Sequence, residues 1–144
     1  MAIWRDGKDP MALAAATGGR RTLITTLGME LLEAGDDWLR GRMPVDERTH
    51  QPYGLLHGGA SVALAETLAS WAGTCAAEAG KVCVGQEINA NHVRPVREGW
   101  VYGTATPEAL GRKAQVWSIR ITDEAGKLVC ISRMTLAVVP ALPA

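Results

Sequence analysis

The sequence predicts an α+β fold in which an antiparallel sheet wraps around one long helix. Three observations predict it. The stretch from Gly58 to about Ala79 is apolar or small on every side and ends near Gly80, which marks a buried helix. After it the hydrophobic period drops to two. Turn signals then follow at Arg97-Glu98-Gly99, Pro107–Gly111 and Asp123–Gly126.

Each element has its own justification. Residues 10–16, PMALAAA, place Pro at a first helical position and Gly18-Gly19 as a stop. Residues 22–34 and 37–44 read as strands joined by a hairpin turn at Gly35-Asp36. Residues 45–56 contain Pro52 and Gly54 and read as a loop. Strands are expected over 82–96, 100–106, 113–122 and 127–138, joined as an antiparallel meander. In the third of these, Gln115, Trp117, Ile119 and Ile121 share one face, and Val116, Ser118 and Arg120 take the other. One helix cannot cover so large a sheet, which points to a dimer or higher oligomer.

The chain of 144 residues is most simply one domain, with enough apolar residues, 47%, to build a core. Fifteen basic residues balance fifteen acidic ones, so no electrostatic footprint for nucleic acid or an anionic membrane exists. Residues 60–77 approach a membrane span in length, but Glu66 at their centre argues for a buried helix instead. Cys75, Cys83 and Cys130 lie in apolar stretches without a C-x-x-C, and read as free core thiols. No secretory pattern opens the chain, and a reducing cytoplasm is expected.

Glu66 is the first candidate functional residue. A carboxylate in a buried helix must be paired, hydrogen-bonded or protonated. No Lys or Arg occurs between Arg48 and Lys81, which leaves a hydrogen bond to a distant group or a functional carboxylate. Ser70, four residues on, shares its face. Its hydroxyl either bonds back to the Glu66 carbonyl or holds the carboxylate or a water. At the helix start, His57-Gly58-Gly59 either forms a plain capped turn or opens the donor end of the helix to an oxyanion. Gln51 adds an amide donor or is a solvated loop residue. Glu66 lies nine residues beyond His57, about 12–13 Å along the axis. One reacting carbonyl cannot touch both. If both act on one substrate, Glu66 comes from a second subunit across a two-fold axis, giving two sites per dimer.

Competing motifs are weak. Gly59-Ala60-Ser61-Val62-Ala63 imitates a nucleophile elbow, but no strand leads into it and His92 precedes Asp123. His50, His57 and His92 have no metal-ligand spacing, and no phosphate-binding or dinucleotide fingerprint is present. Neither metal nor cofactor is expected.

The stretches MPVDERTHQPYGLLHGGASVALAETLASWAG, VGQEINANHVRPVREG and GRKAQVWSIRITDEAGKLVCISRMT closely resemble hotdog-fold acyl-CoA thioesterases. The similar group is that of the 1,4-dihydroxy-2-naphthoyl-CoA hydrolases and enterobactin proofreading thioesterases, beside the 4-hydroxybenzoyl-CoA thioesterases of the Arthrobacter type. The resemblance runs from about residue 22 to 138. It implies a hotdog fold, dimers paired into tetramers, and an active site at the dimer interface. It implies that Glu66 attacks the thioester or activates water, and that the Gly58 N–H polarises the carbonyl. Gln51 and His57 would assist at the carbonyl and leaving thiolate, and Ser70 would orient the water or intermediate. It further implies that coenzyme A, as part of the substrate, meets Gly85, His92, Val93, Arg94 and Pro95, together with Leu110, Gly111, Arg112 and Lys113. Arg94, Arg112 and Lys113 are cations able to meet phosphates, or are ordinary strand-end charges. Pro95 stands where close relatives carry serine, and Ala114 where they carry a larger polar residue. The expected reaction is hydrolysis of an aromatic or bulky acyl-CoA, or of an acyl carrier protein thioester. A hotdog hydratase and a non-catalytic acyl-CoA-binding module are the rivals.

Overall fold

The long helix organises everything around it. In the computed structural model, which describes residues 1–17 and 19–143, the elements run α1 (Pro10–Thr17), α2 (Leu23–Thr26), β1 (Glu30–Ala34), β2 (Leu39–Val45), α3 (Gly58–Ala76), β3 (Lys81–His92), β4 (Gly99–Leu110), β5 (Ala114–Thr122) and β6 (Leu128–Pro140). The strands form one six-stranded antiparallel sheet in the order β1-β2-β4-β5-β6-β3. Helix α3 packs across β2 to β6.

Small residues let α3 sit close. Ala65, Ala69, Ala72 and Ala76 face the sheet and are buried. Leu68 projects into room left by Gly41 on β2 and Gly103 on β4, where an added Cβ would lie 2.8 Å from its methyl carbons. The expected face of β5 is present: Gln115, Trp117, Ile119 and Ile121 are buried, and Trp117 donates its Nε1–H to Gln115 Oε1 at 2.8 Å. Gln115 in turn donates to the Gly73 carbonyl of α3 at 3.2 Å. A polar side chain is thus buried here because each end has a partner.

Several expectations need correction. Residues 22–34 are not one strand. Thr22 opens the short helix α2 through a capping box with Thr25, and only Glu30–Ala34 pairs into the sheet. The local box outweighs the strand propensity of the β-branched residues. Strand β3 stops at His92 rather than 96, and α3 stops at Ala76 rather than 79. Pro107 does not begin a turn; β4 carries on to Leu110 through a register shift between Pro107 and Ala109. The sheet is not a simple meander, because β3 crosses to pair with β6 while β4 pairs with β2. The helix α1 ends at Thr17, and the expected stop at Gly18 falls outside the described residues.

The helix α3 is also not buried all round. Val62, Ala63, Glu66, Thr67, Ser70, Trp71 and Thr74 form a half-buried stripe along it. Among the described residues no helix is long and apolar enough to cross a membrane.

Candidate active site

The residues singled out above fall into two clusters along α3. The first is at its start. His57 is the N-cap, and its Nδ1 accepts from the Gly59 N–H at 2.8 Å. A neutral imidazole accepting at Nδ1 carries its proton on Nε2. That Nε2–H is an outward-facing donor, since His57 is exposed. The loop behind it is pinned: the His57 N–H donates to the Thr49 carbonyl at 2.8 Å and the Leu56 N–H to the Val96 carbonyl at 2.8 Å. The Gly58 N–H donates to nothing among the described residues. It is an orphan donor at the positive end of the helix dipole.

Gly58 is small for a reason. A Cβ there would lie 2.9 Å from His92 Nε2, so the imidazole of β3 rests on the first turn of α3. Gln51 Oε1 accepts from the Tyr53 N–H, which leaves the Gln51 amide N–H groups as the free end. A cleft of about 410 Å³ collects Gln51, Gly58, His92, Val93, Arg94 and Pro95. Its floor adds Leu55, Leu56, Ser61 and Val129. Ser61 and Val129 were not foreseen as lining residues, although Ser61 lies one turn after Gly58, the spacing that places it on the same side.

The second cluster is mid-helix. Glu66 is half-buried on the open stripe, and its carboxylate packs against Gly85, where a side chain would collide with it and with Met134. Gly85 adjoins a register shift in β3 between Gly85 and Glu87. No basic side chain pairs with Glu66 among the described residues. The expected burial of this carboxylate is therefore relieved by an open face rather than by a counter-ion. Ser70 does not bond back to the helix among the described residues; Thr67 does, donating Oγ1–H to the Ala63 carbonyl at 2.7 Å. The Ser70 hydroxyl, one turn beyond Glu66 on the same stripe, is half-buried and makes no hydrogen bond among the described residues.

The two clusters do not meet within one chain. Gly58 and Glu66 are separated by about 12 Å of helix. The segments expected to hold coenzyme A also separate. His92 is in register with Cys130 of β6, whereas Ala114, just after Arg112 and Lys113, is in register with Ala137. Seven residues of extended β6 between them span about 23 Å. Leu110, Gly111 and Arg112 instead meet Arg5 and Lys81 around a small cavity of about 30 Å³. Arg5 and Lys81 were missed, because only the sheet closure brings them beside the β4–β5 turn.

The thiols take no part in either cluster. Cys75, Cys83 and Cys130 are free and buried. Burial pushes the Cys75 and Cys83 thiols up to about 11, and raises Cys130 too, so all are neutral and poor nucleophiles. Among the described residues no group of His, Cys, Asp and Glu could hold a metal ion.

An orphan N–H at the helix start and an unpaired carboxylate are thus carried on one helix packed against a six-stranded sheet, the frame and groups of a hydrolase. Comparisons with known proteins agree. The family model described as Thioesterase superfamily matches residues 53–130. The proofreading thioesterase EntH of Cronobacter turicensis is 51% identical over 136 residues, covering 94% of this chain and 98% of that protein. The 1,4-dihydroxy-2-naphthoyl-CoA hydrolase of Escherichia coli shows the same identity and coverage. A crystal structure of a thioesterase from Haemophilus influenzae superposes with a TM-score of 0.90 at 48% identity, covering 98% of this chain and 97% of that one. The chain belongs to the Thioesterase superfamily and is a thioester hydrolase of the hotdog fold.

Proposed function

We propose that the chain hydrolyses an aromatic or otherwise bulky acyl-CoA to the free acid and coenzyme A, at sites shared by two subunits. The observation that carries this is the separation of an unpaired Glu66 from the open donor end of its own helix. A second copy related by a two-fold axis would set each Glu66 opposite its partner's Gly58 and His57. The exposed β3 edge from Val84 to Glu87 supports that pairing, since a long unpaired edge invites another strand. The same pairing would carry one subunit's Arg112 and Lys113 toward the other's His92–Pro95 segment. Assembly of dimers into a tetramer, in the cytoplasm, completes the reading. The names of the relatives support the acyl class, one acting on a naphthoyl-CoA and another proofreading thioesters.

In this reading the Gly58 N–H and the helix dipole stabilise the oxyanion as the carbonyl becomes tetrahedral. Glu66 either attacks the carbonyl carbon, expelling the thiolate and forming an anhydride that water cleaves, or takes a proton from the attacking water. The His57 Nε2–H and the Gln51 amide serve the carbonyl and the leaving thiolate, and the Ser70 hydroxyl orients water. Arg94, Arg112 and Lys113 serve the phosphates. No cofactor or metal enters these steps. The test is thiol release from benzoyl-, hydroxybenzoyl-, dihydroxynaphthoyl-, phenylacetyl- and short aliphatic CoA, with Glu66→Ala beside the wild type. Release that depends on Glu66 supports the proposal, and the order of kcat/KM names the acyl class. Absence of release from every CoA ester, with release from a carrier-protein thioester, would move the substrate to the carrier; formation of a hydrated acyl thioester without free thiol would replace hydrolase by hydratase.

A further inference from the structure

His50 belongs to neither cluster, yet its side chain ties the two walls of the cleft together. Residues 50 to 56 form a closed loop. His50 bridges to Leu56, and inside that bridge the Gln51 N–H donates to the Leu55 carbonyl at 2.8 Å. Gly54, at φ +77°, lets the chain turn back, and its N–H donates to the Gln51 carbonyl at 3.0 Å. The loop grips the segment that continues the opposite wall through two consecutive carbonyls. The Leu56 N–H donates to Val96, and the His50 ring meets the Arg97 carbonyl through Nε2 at 2.8 Å. A carbonyl only accepts, so that Nε2 carries a proton. The first of these bonds is backbone and survives any side-chain change. The second exists only because residue 50 has a donor of the right reach.

The two walls are held differently. The His92–Pro95 wall is backed by β6, since the Val93 and Arg94 N–H groups both donate to the Val129 carbonyl, at 2.9 and 3.4 Å. The Gln51 wall is a protruding loop with Pro52 and Tyr53 exposed. We propose that His50 is a positioning residue, which fixes the Gln51 loop against the firmer wall and so aims the Gln51 amide into the cleft. The inference rests on Gln51 serving the thioester carbonyl. Gln51 directly follows His50, and its Oε1 is held by the Tyr53 N–H of the same loop. The amide N–H groups therefore move with the loop as one body. A tilt that shifts them by about 1 Å costs up to roughly 10²-fold in turnover. His50 does not itself line the cleft, and acts through its neighbour.

The test is a double-mutant cycle in kcat, measured on the ester of the CoA panel that the wild type hydrolyses fastest. His50→Leu keeps much of the bulk and removes the donor. His50→Gln keeps an amide N–H for the same carbonyl. Residue 50 is only half-buried, so both variants fold. His50→Leu is expected to lower kcat by about ten-fold or more, with KM nearly unchanged because the facing wall stays on Val129. His50→Gln is expected to recover most of that loss. In a Gln51→Ala background, His50→Leu is expected to cost no further kcat, because the group it aims is gone. Equal losses in the two backgrounds would overturn the proposal, since His50 would then act on its own or through the fold at large. Wild-type kcat in His50→Leu would overturn it too, as would a His50→Gln no better than His50→Leu. Failure of the underlying reading shows separately: wild-type kcat in Gln51→Ala removes Gln51 from the chemistry and takes the inference with it.

Discussion

The two ends of α3 are treated in opposite ways. At the start, the Gly58 N–H has no partner among the described residues, and the His57 Nδ1 accepts from the Gly59 N–H. At the end, the carbonyls are closed off by groups far away in sequence. Gln115 takes Gly73, the Arg5 N–H takes Cys75 at 2.9 Å, and the Lys8 ammonium donates to Thr74 at 3.0 Å and to Ala77 at 2.8 Å. Asp6 adds a bond from the Ala79 N–H at 2.7 Å. An ammonium at the negative end of the dipole is favourable there. The lesson is a division along one helix: the carbonyls of its last turn are closed by distant donors, while at its start the Gly58 N–H is left open among the described residues.

Substitutions can break this contrast, and the largest effect belongs between the two ends. Glu66→Gln is expected to lower kcat by about 10²–10⁴-fold with the oligomer intact, read by thiol release and light scattering. His57→Ala, at the open end, is expected to lower kcat by about 10²-fold while barely moving Tm, since the freed Gly59 N–H can be solvated. Gly85→Ala places a methyl group on the Glu66 carboxylate; displacement of a reacting group by about 1 Å costs roughly 10²-fold, chiefly in kcat. Lys8→Met, at the sealed end, should reverse the pattern. It removes charged hydrogen bonds worth about 1.5–3 kcal/mol. That lowers Tm by roughly 5–10 °C while kcat below the transition is retained. A Lys8 variant that lost activity without losing stability would dissolve the contrast.

The smallest effect concerns the turn that leads into the active-site loop. Arg48, hydrogen-bonded to Asp46 at 2.7 Å, holds the Asp46 carboxyl below its usual range. A depressed carboxylate stabilises the fold fully above its ordinary value near about 4, and that contribution fades as pH falls through the folded value. Asp46→Asn is therefore expected to lower Tm by a degree or two at neutral pH, with the difference vanishing in acid. The pair is largely exposed, which keeps the effect small.

Local signals made most of α3 and the β1–β2 hairpin legible. His57-Gly58-Gly59 announces the helix start, and the Gly35 N–H closes the expected turn on the Trp38 carbonyl at 2.9 Å. The alternation in β5 correctly sets Trp117 inward. Glu66 was legible as a lone carboxylate among apolar residues, and its distance from His57 followed from helix geometry alone. What stayed hidden depends on distant partners. The crossing of β3 to β6 has no local signature, and neither does the meeting of Gly85 with Glu66 or of His92 with Gly58. The TLITT stretch reads as strand by propensity, and only the Thr22–Thr25 box turns it into α2. The Lys8 seal lies 69 residues from Ala77 and could not be read from spacing.

The central claim is that each active site joins the middle of one helix to the start of another. It is tested most directly by mixing inactive Glu66→Ala and His57→Ala chains, unfolding and refolding them together, and measuring thiol release from verified hybrid dimers. The account predicts recovery toward about one half of wild-type activity in the hybrids, because each carries one intact site of two, and about one quarter in the unseparated mixture, where half the dimers are hybrids. Hybrids that form and stay as inactive as either parent would contradict it.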